Sequence, residues 1–293
     1  MSAIAFFGAV ELGLVYSFVA LGVFLSFRVL DFPDLTVDGS FPLGAAVAGV
    51  CIINGWNPWI ATAFACAAGA CAGFVTAFIS VRFRILHLLA SILTMIALFS
   101  VNLRIMGRPN IAILNQETVV TPFYTLDLPD HLVRPAFLLV LVAIVSALLA
   151  VFLKTDLGLA MRATGANARM ARAQGVRVGA QIMAGVALSN ALVGLAGALF
   201  AQTNGFADVT AGFGTIVVGL AAVIVGETLL PRRGILLAVA ACVLGSVIYR
   251  LAVQLALNLD FLGLSASDLN LATALLVLIT LILPRFRARD APA

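Results

Sequence analysis

Lys154–Gly179 reads KTDLGLAMRATGANARMARAQGVRVG and lies between two long apolar runs. Five basic side chains, Lys154, Arg162, Arg169, Arg172 and Arg177, face a single acid, Asp156. Between membrane spans such a loop stays on the cytoplasmic side, because basic loops resist translocation. Within it, Ala166–Gln174 predicts a short helix, with Gly175 placed as its C-terminal cap. A short amphipathic helix held at the cytosolic face by two spans suits docking to a soluble partner.

The rest of the chain supplies the spans. Of its 293 residues 63% are hydrophobic and 10% charged, with a mean hydropathy of +1.15. An ordinary soluble domain carries about a quarter of its residues as charges. A helix crosses the hydrocarbon with roughly 20 apolar residues, and such runs fill most of this sequence, predicting one transmembrane domain over residues 1–293. The net charge of +4 sits in short loops and is no nucleic-acid footprint. Cys51, Cys66, Cys71 and Cys242 all lie inside apolar runs and read as small core residues, so neither a disulfide frame nor a metal site follows. No basic segment precedes the first apolar stretch, which therefore reads as a span and not a cleaved leader.

The apolar runs divide into spans at Ala5–Phe27, Phe41–Gly55, Trp59–Val81, Ile85–Ile105, Pro135–Leu153, Ala180–Ala201, Phe213–Gly226, Ile235–Leu257 and Leu271–Leu283. With Lys154–Gly179 inside, every other loop acquires a side. The inner set collects Arg28, Arg82, Arg84, Arg232, Arg233, Arg285, Arg287 and Arg289. The outer set holds Glu117, Asp127, Asp130, Asp208, Asp260 and Asp268 against Arg104, Arg108 and Arg134. The bias agrees with the anchor throughout. The fold class expected is an all-α polytopic helical bundle of about 8–10 spans.

Two of these spans are short. At 1.5 Å per residue, Phe41–Gly55 and Phe213–Gly226 cover only about 21–23 Å. Each follows an irregular polar segment, Asp31–Ser40 (DFPDLTVDGS) or Asn204–Gly212 (NGFADVTAG). The two segments share Phe-x-Asp-[Leu/Val]-Thr, at Phe32, Asp34, Leu35 and Thr36 and at Phe206, Asp208, Val209 and Thr210. They enter from opposite sides of the bilayer, as broken helices related by an inverted repeat would. Irregular backbone survives at membrane depth only where protein or a wet cavity satisfies it. Phe32, Asp34, Thr36, Asp38, Phe206, Asp208 and Thr210 are therefore candidates for a translocation path. The alternative is that the aspartates and threonines cap the helices that follow.

Among other polar residues within spans, Asn190 is the best centred and either bonds a neighbouring helix or faces the path. Glu11 in the first span reads as interfacial. Asn102, Arg104 and Arg250 are expected to reach an interface, and Glu227 to pair with Arg232 or Arg233. His87 and His131 are isolated and given no ligand role. Trp56 and Trp59 flank an outer boundary. Lys154, the single lysine, lacks the glycine frame of a phosphate loop, and no metalloprotease or serine-hydrolase motif occurs, so no enzyme is expected.

Leu30–Gly44 (LDFPDLTVDGSFPLG) and Lys154–Val176 together carry a family likeness. The chain resembles the permease subunit of bacterial ABC importers, in the branch of branched-chain amino acid, ribose and nucleoside permeases, and within it the tryptophan/tyrosine-type subgroup. The first motif is similar to the subgroup's segment after the first span, and the second to the branch's cytoplasmic coupling loop. The resemblance implies a homodimer of permeases in the bacterial inner membrane, two ATPase subunits below it and a periplasmic or lipid-anchored binding protein above. ATP and magnesium would be used by the partner, with no cofactor bound by this chain. Arg162, Ala163, Gly165, Asn167, Arg169, Met170, Ala171, Arg172 and Gly175 would form the coupling helix and its flanks, the arginines alternatively serving only to set topology. The solute expected is small and organic, an amino acid above all. The competing reading is a carrier driven by an ion gradient, which shares broken helices.

Overall fold

In a computed structural model, the structure describes residues 3–114, 116–126, 130–230 and 234–257. The expected ninth span, Leu271–Leu283, lies outside these residues. So do Asp127, Arg232, Arg233, Asp260, Asp268, Arg285, Arg287 and Arg289. The described chain is a bundle of long helices: α1 (Ala3–Val23), α2 (Val37–Ile53), α3 (Pro58–Phe83), α4 (His87–Met106), α5 (Asp130–Phe152), α8 (Val178–Asn204), α9 (Thr215–Leu229) and α10 (Ile235–Leu257). Two short helices, α6 (Asp156–Ala166) and α7 (Ala168–Ala173), lie between α5 and α8. Among the described residues, seven helical stretches are long and apolar enough to cross a membrane, and Val37–Ile53 is a shorter apolar helix. The chain is thus an all-α polytopic bundle. A small antiparallel ladder joins β1 (Asn110–Ala112) to β2 (Phe206–Asp208), with Ile111 opposite Ala207.

Helix ends follow local chemistry. Asn57 caps α3, its Oδ1 accepting the Trp59 N–H at 2.9 Å, with Pro58 in the first turn where no N–H is needed. Gly107 closes α4 in the left-handed region (φ +68°) and donates its N–H to Leu103 O.

The first span (Ala5–Val29) and α8 form the centre, 78% and 67% buried, whereas α4 and α5 are 28% buried and turn apolar side chains outward. Central helices must approach closely, and small residues let them. A Cβ on Gly44 would meet Gly194 O, and one on Gly197 would meet Phe41 O, so glycine alone permits the α2–α8 contact.

The ends sort as the charge pattern requires. Val29 at the end of the first span meets Gly165 of α6, and Val81 near the end of α3 meets Gly179 at the start of α8. Arg28 pairs with Glu227. These ends share the face that carries Arg162 and Arg169. At the opposite face lie the β1–β2 ladder and Arg134, which donates to Thr203 O at 3.2 Å.

Several expectations need correction. The second span starts at Val37, not Phe41, because Asp38, Gly39 and Ser40 are already helical. The basic loop holds two helices. Ala166 ends α6 instead of opening the docking helix, and α7 starts after Asn167. Glu227 also pairs across the fold with Arg28, 199 positions away, while Arg232 and Arg233 lie outside the described residues. Asn102 reaches no interface: it is fully buried and donates to Gly39 O at 3.1 Å. Arg250 is half-buried and lies over the Tyr16 ring, 3.9 Å from its centroid, a cation–π contact that keeps it inside the bundle.

Candidate functional site: a buried clamp, a cavity beside Asp38 and a basic helix pair

The first irregular segment begins where α1 runs into a π-helical stretch, Phe24–Val29. The chain leaves it at Asp31, whose φ of 53° is left-handed, with Phe32 N donating back to Ser26 O at 2.9 Å. Such single π turns concentrate where a helix must be re-aimed for function. Phe32 is buried and packs on His87 with centroids 4.3 Å apart, and Ser80 Oγ holds His87 Nδ1 at 2.6 Å. His131 lies outside the residues whose side chains are described.

Beyond Phe32 a chain of buried polar groups fixes the break. Asp34, Thr36, Ser40 and Asn190 have no exposed surface. Asp34 Oδ1 accepts the Thr36 N–H at 2.9 Å and Oδ2 accepts Asn190 Nδ2 at 2.6 Å. Asn190 Oδ1 accepts from Ser40 Oγ at 2.7 Å, and the Thr36 and Thr76 hydroxyls meet at 2.8 Å. The cluster staples the irregular segment to α2, α3 and α8, satisfying groups that hydrocarbon could not.

Asp38 joins this break to the second one. Its Oδ1 accepts Ile216 N–H at 2.8 Å and its Oδ2 accepts Gly214 N–H at 3.3 Å. The residue preceding α9 is Gly214, with φ +82° and no side chain to cap with, so Asp38 caps α9 from another helix. Gly212 is packed so tightly that a Cβ there would strike Asp38 O.

Phe206, Asp208 and Thr210 lie apart from the buried cluster, at the outer ladder. Asp208 Oδ1 accepts Thr210 N–H at 2.6 Å and Oδ2 accepts Asn110 Nδ2 at 3.0 Å. Partial burial works to raise the Asp208 carboxyl, but the hydrogen bonds from Thr210 and Asn110 outweigh it and hold the group below its ordinary value. Phe206 is part-exposed and edges onto Phe200, which in turn packs on Phe41. The structure thus brings Asp34, Thr36 and Asn190 together, links Asp38 to α9, and leaves the second motif at the surface.

An outer cavity of about 270 Å³ opens beside Asp38, between α2, α4 and the turn at Val209–Phe213. A larger one, about 560 Å³, lies at the end that carries the basic loop, among Arg28, Asp31, Arg162, Gly165 and Glu227. Here α6 is pinned by Gly158, Met161, Thr164 and Gly165 against its neighbours, while α7 turns Arg169, Met170 and Arg172 outward. Asn167 Oδ1 accepts both Arg169 and Met170 N–H groups at 3.1 Å, so one residue ends α6 and caps α7. Residues 5–283 match the family described as branched-chain amino acid transport system, permease component.

This chain belongs to that family.

Within it, the chain is 38% identical over 265 residues to a tyrosine transport system permease protein of Clostridioides difficile (strain R20291), covering 90% of this chain and 86% of that one. It is also 37% identical over 189 residues to an uncharacterized protein of Rickettsia prowazekii (strain Madrid E), covering 64% and 65% of the two chains. The bundle overlays PsaBC from Streptococcus pneumoniae, solved in complex with Fab, with a TM-score of 0.50 at 17% identity, over 94% of this chain and 89% of that one, a likeness of fold alone. The family makes the chain a permease component of an ABC-type transport system, a multi-pass membrane protein and not an enzyme.

Among the residues that sequence reading passed over, Ser40 and Thr76 complete the Asp34 cluster. Gln202 ties an outer loop to α3 and α8, its Oε1 accepting Val119 N–H at 3.0 Å and its Nε2 donating to Thr62 Oγ1 at 2.8 Å. Serines and threonines in apolar helices often bond their own backbone, so nothing local marks these as cross-helix partners.

Proposed function

We propose that this chain is the membrane subunit of an ATP-driven importer of a small amino acid-like solute in the bacterial cytoplasmic membrane, working as a homodimer. The supporting observation is the α6–α7 pair, which offers Arg169, Met170 and Arg172 to the cytosol from a base packed on the end of the first span. A partner ATPase, using ATP and magnesium, docks on that surface. A binding protein delivers solute to the opposite face. The tyrosine relative points to an amino acid.

Motion enters at α6. Gly165 lies on the backbone of Val29 and Leu30, and Gly185 of α8 packs on the Leu30 side chain. Displacing α6 therefore displaces the π turn and, four residues on, Asp34 and its clamp. The clamp moves α2, and Asp38 carries the movement to the start of α9. A rigid-body switch of this kind opens the path alternately to either side. In this reading Asp34, Thr36 and Asn190 position the broken segment, Asp38 faces the path, and Phe206, Asp208 and Thr210 shape its outer mouth.

Asp34 is a buried acid of the kind a gradient-driven carrier needs, but membership of an ABC permease family favours the ATP-driven reading. Reversing charge at both Arg169 and Arg172 to glutamate should abolish capture of the ATPase by detergent-solubilised permease while leaving membrane insertion intact. Recovery of an intact complex from that double variant would refute the docking assignment.

A further inference from the structure

The larger cavity, at the end that carries the basic loop, changes character with depth. From the first span it is lined by Phe24 and Phe27, then by Arg28 at the span's end, and by Asp31 just past it. From α10 it is lined by Ile235 and Ala238, running inward from Gly234. Charges therefore sit where the spans end and apolar side chains lie deeper, the order in which a phospholipid presents headgroup and acyl chain. The polar rim carries both signs. Arg28 pairs with Glu227, yet its side chain stays 43% exposed, and a guanidinium has five N–H donors to share. Arg162 is exposed and makes no hydrogen bond or ion pair among the described residues. Asp31 is exposed as well, and its carboxylate accepts no hydrogen bond among them.

A phosphate alone would meet two acids in this cavity, and an ammonium alone two guanidinium groups. A headgroup bearing both is complementary to both. The edge of the cavity also adjoins surface that faces lipid: Leu236 and Leu237, next to Ile235 on the spanning helix α10, are 60% and 43% exposed. Basic pockets between spans at a membrane surface take lipid headgroups. We propose that this cavity holds a phospholipid whose headgroup carries a primary ammonium, of the phosphatidylethanolamine kind. Its phosphate lies on Arg162 and Arg28, its ammonium on Asp31, and the start of an acyl chain along Phe27, Ile235 and Ala238. Glu227, only 11% exposed, holds the Arg28 guanidinium in place. At about 560 Å³ the cavity falls inside the roughly 300–1,000 Å³ range of small-ligand sites. The site needs only that the chain spans a bilayer, so it stands apart from the importer reading. Bound there, the lipid braces α6 against the first span and α10.

Native mass spectrometry of the full-length chain, released from nanodiscs that hold equal phosphatidylethanolamine, phosphatidylglycerol and phosphatidylcholine, tests this. Phosphatidylethanolamine should be retained about tenfold better than either other lipid, because phosphatidylglycerol lacks the ammonium and phosphatidylcholine lacks its N–H donors. Arg162→Gln, at an exposed helical position that glutamine suits, should weaken phosphatidylethanolamine and phosphatidylglycerol alike by about tenfold. Asp31→Asn keeps a residue type that tolerates left-handed backbone. It should weaken phosphatidylethanolamine alone and so erase the preference. Soluble O-phosphoethanolamine and inorganic phosphate, which lack acyl chains, should leave the lipid in place at equal concentration. Displacement by either would assign the cavity to a soluble phosphate compound and overturn the proposal. Equal retention of the three lipids, a preference for phosphatidylglycerol, or an Asp31→Asn variant that still prefers phosphatidylethanolamine would overturn it too.

Discussion

At the scale of single residues, the hydrogen bond between Asp34 and Asn190 carries more than either side chain's identity suggests. It closes a fully buried network in which each acceptor faces a donor, and such networks are costly when half-satisfied. Asp34→Asn would keep the acceptor for Thr36 N–H but turn an amide nitrogen toward the nitrogen of Asn190. Asn190→Asp would set two carboxyl oxygens against each other. Either change alone should cost about 1–3 kcal/mol, read as a loss of monodisperse protein after heating in detergent. The exchange Asp34→Asn with Asn190→Asp restores a donor facing an acceptor and keeps the acceptor for Ser40. It should recover at least half of the loss. A double variant less stable than the worse single one would show that the pair does not act as a unit. Sequence reading could find both residues, because polar groups at membrane depth stand out. It could not find their pairing across 156 positions, nor choose between capping and clamping, because both begin with the same Asx turn.

At the scale of elements, long apolar runs and the sidedness of arginines sufficed for the bundle, because the hydrocarbon leaves few alternatives to helix. The short pieces were harder. The sequence predicts one short helix over Ala166–Gln174, yet the chain breaks at Asn167, whose extended φ of −160° and side-chain carbonyl end one helix and start the next. Asparagine does this when its bond to following N–H groups competes with the helix ladder. The break aims α7 outward. Asn167→Ala should cost about 1 kcal/mol locally and let α6 run on into α7, rotating Met170 and Arg172 away from the docking surface. ATPase capture should weaken, and Asn167→Asp, which retains the acceptor, should restore it. Equal capture by wild type and Asn167→Ala would show that the cap is dispensable. The start of α2 differs from its sequence expectation for a related reason: Asp38, Gly39 and Ser40 are polar or small and read as loop, yet they are helical. Asp38 is spent on α9 and Ser40 on Asn190, so both are satisfied inside the bundle.

At the scale of the whole molecule, the question is whether force at α6 reaches the broken segment. The contact to test is the one where Gly165 lies on the backbone of Val29 and Leu30, a seam with no room for a side chain. Gly165→Val must push α6 away from the π turn. Overpacking of this kind costs about 1–3 kcal/mol, enough to shift a switch between two states by roughly tenfold or more. The exposed face of α7 is unchanged by the substitution, so ATPase capture and hydrolysis should persist. If the chain is the importer subunit proposed above, solute uptake per ATP hydrolysed, measured in proteoliposomes with the binding protein supplied, should fall by about tenfold on that arithmetic. Gly8→Ala supplies the control, since a Cβ there meets nothing within 4 Å, and it should change neither quantity. If Gly165→Val lowers capture and uptake together, α6 matters only for docking. If it lowers neither, the route from coupling helix to Asp34 does not pass through this seam, and Arg28–Glu227, beside the same cytosolic cavity, becomes the contact through which the ends of the first span and α9 must be driven.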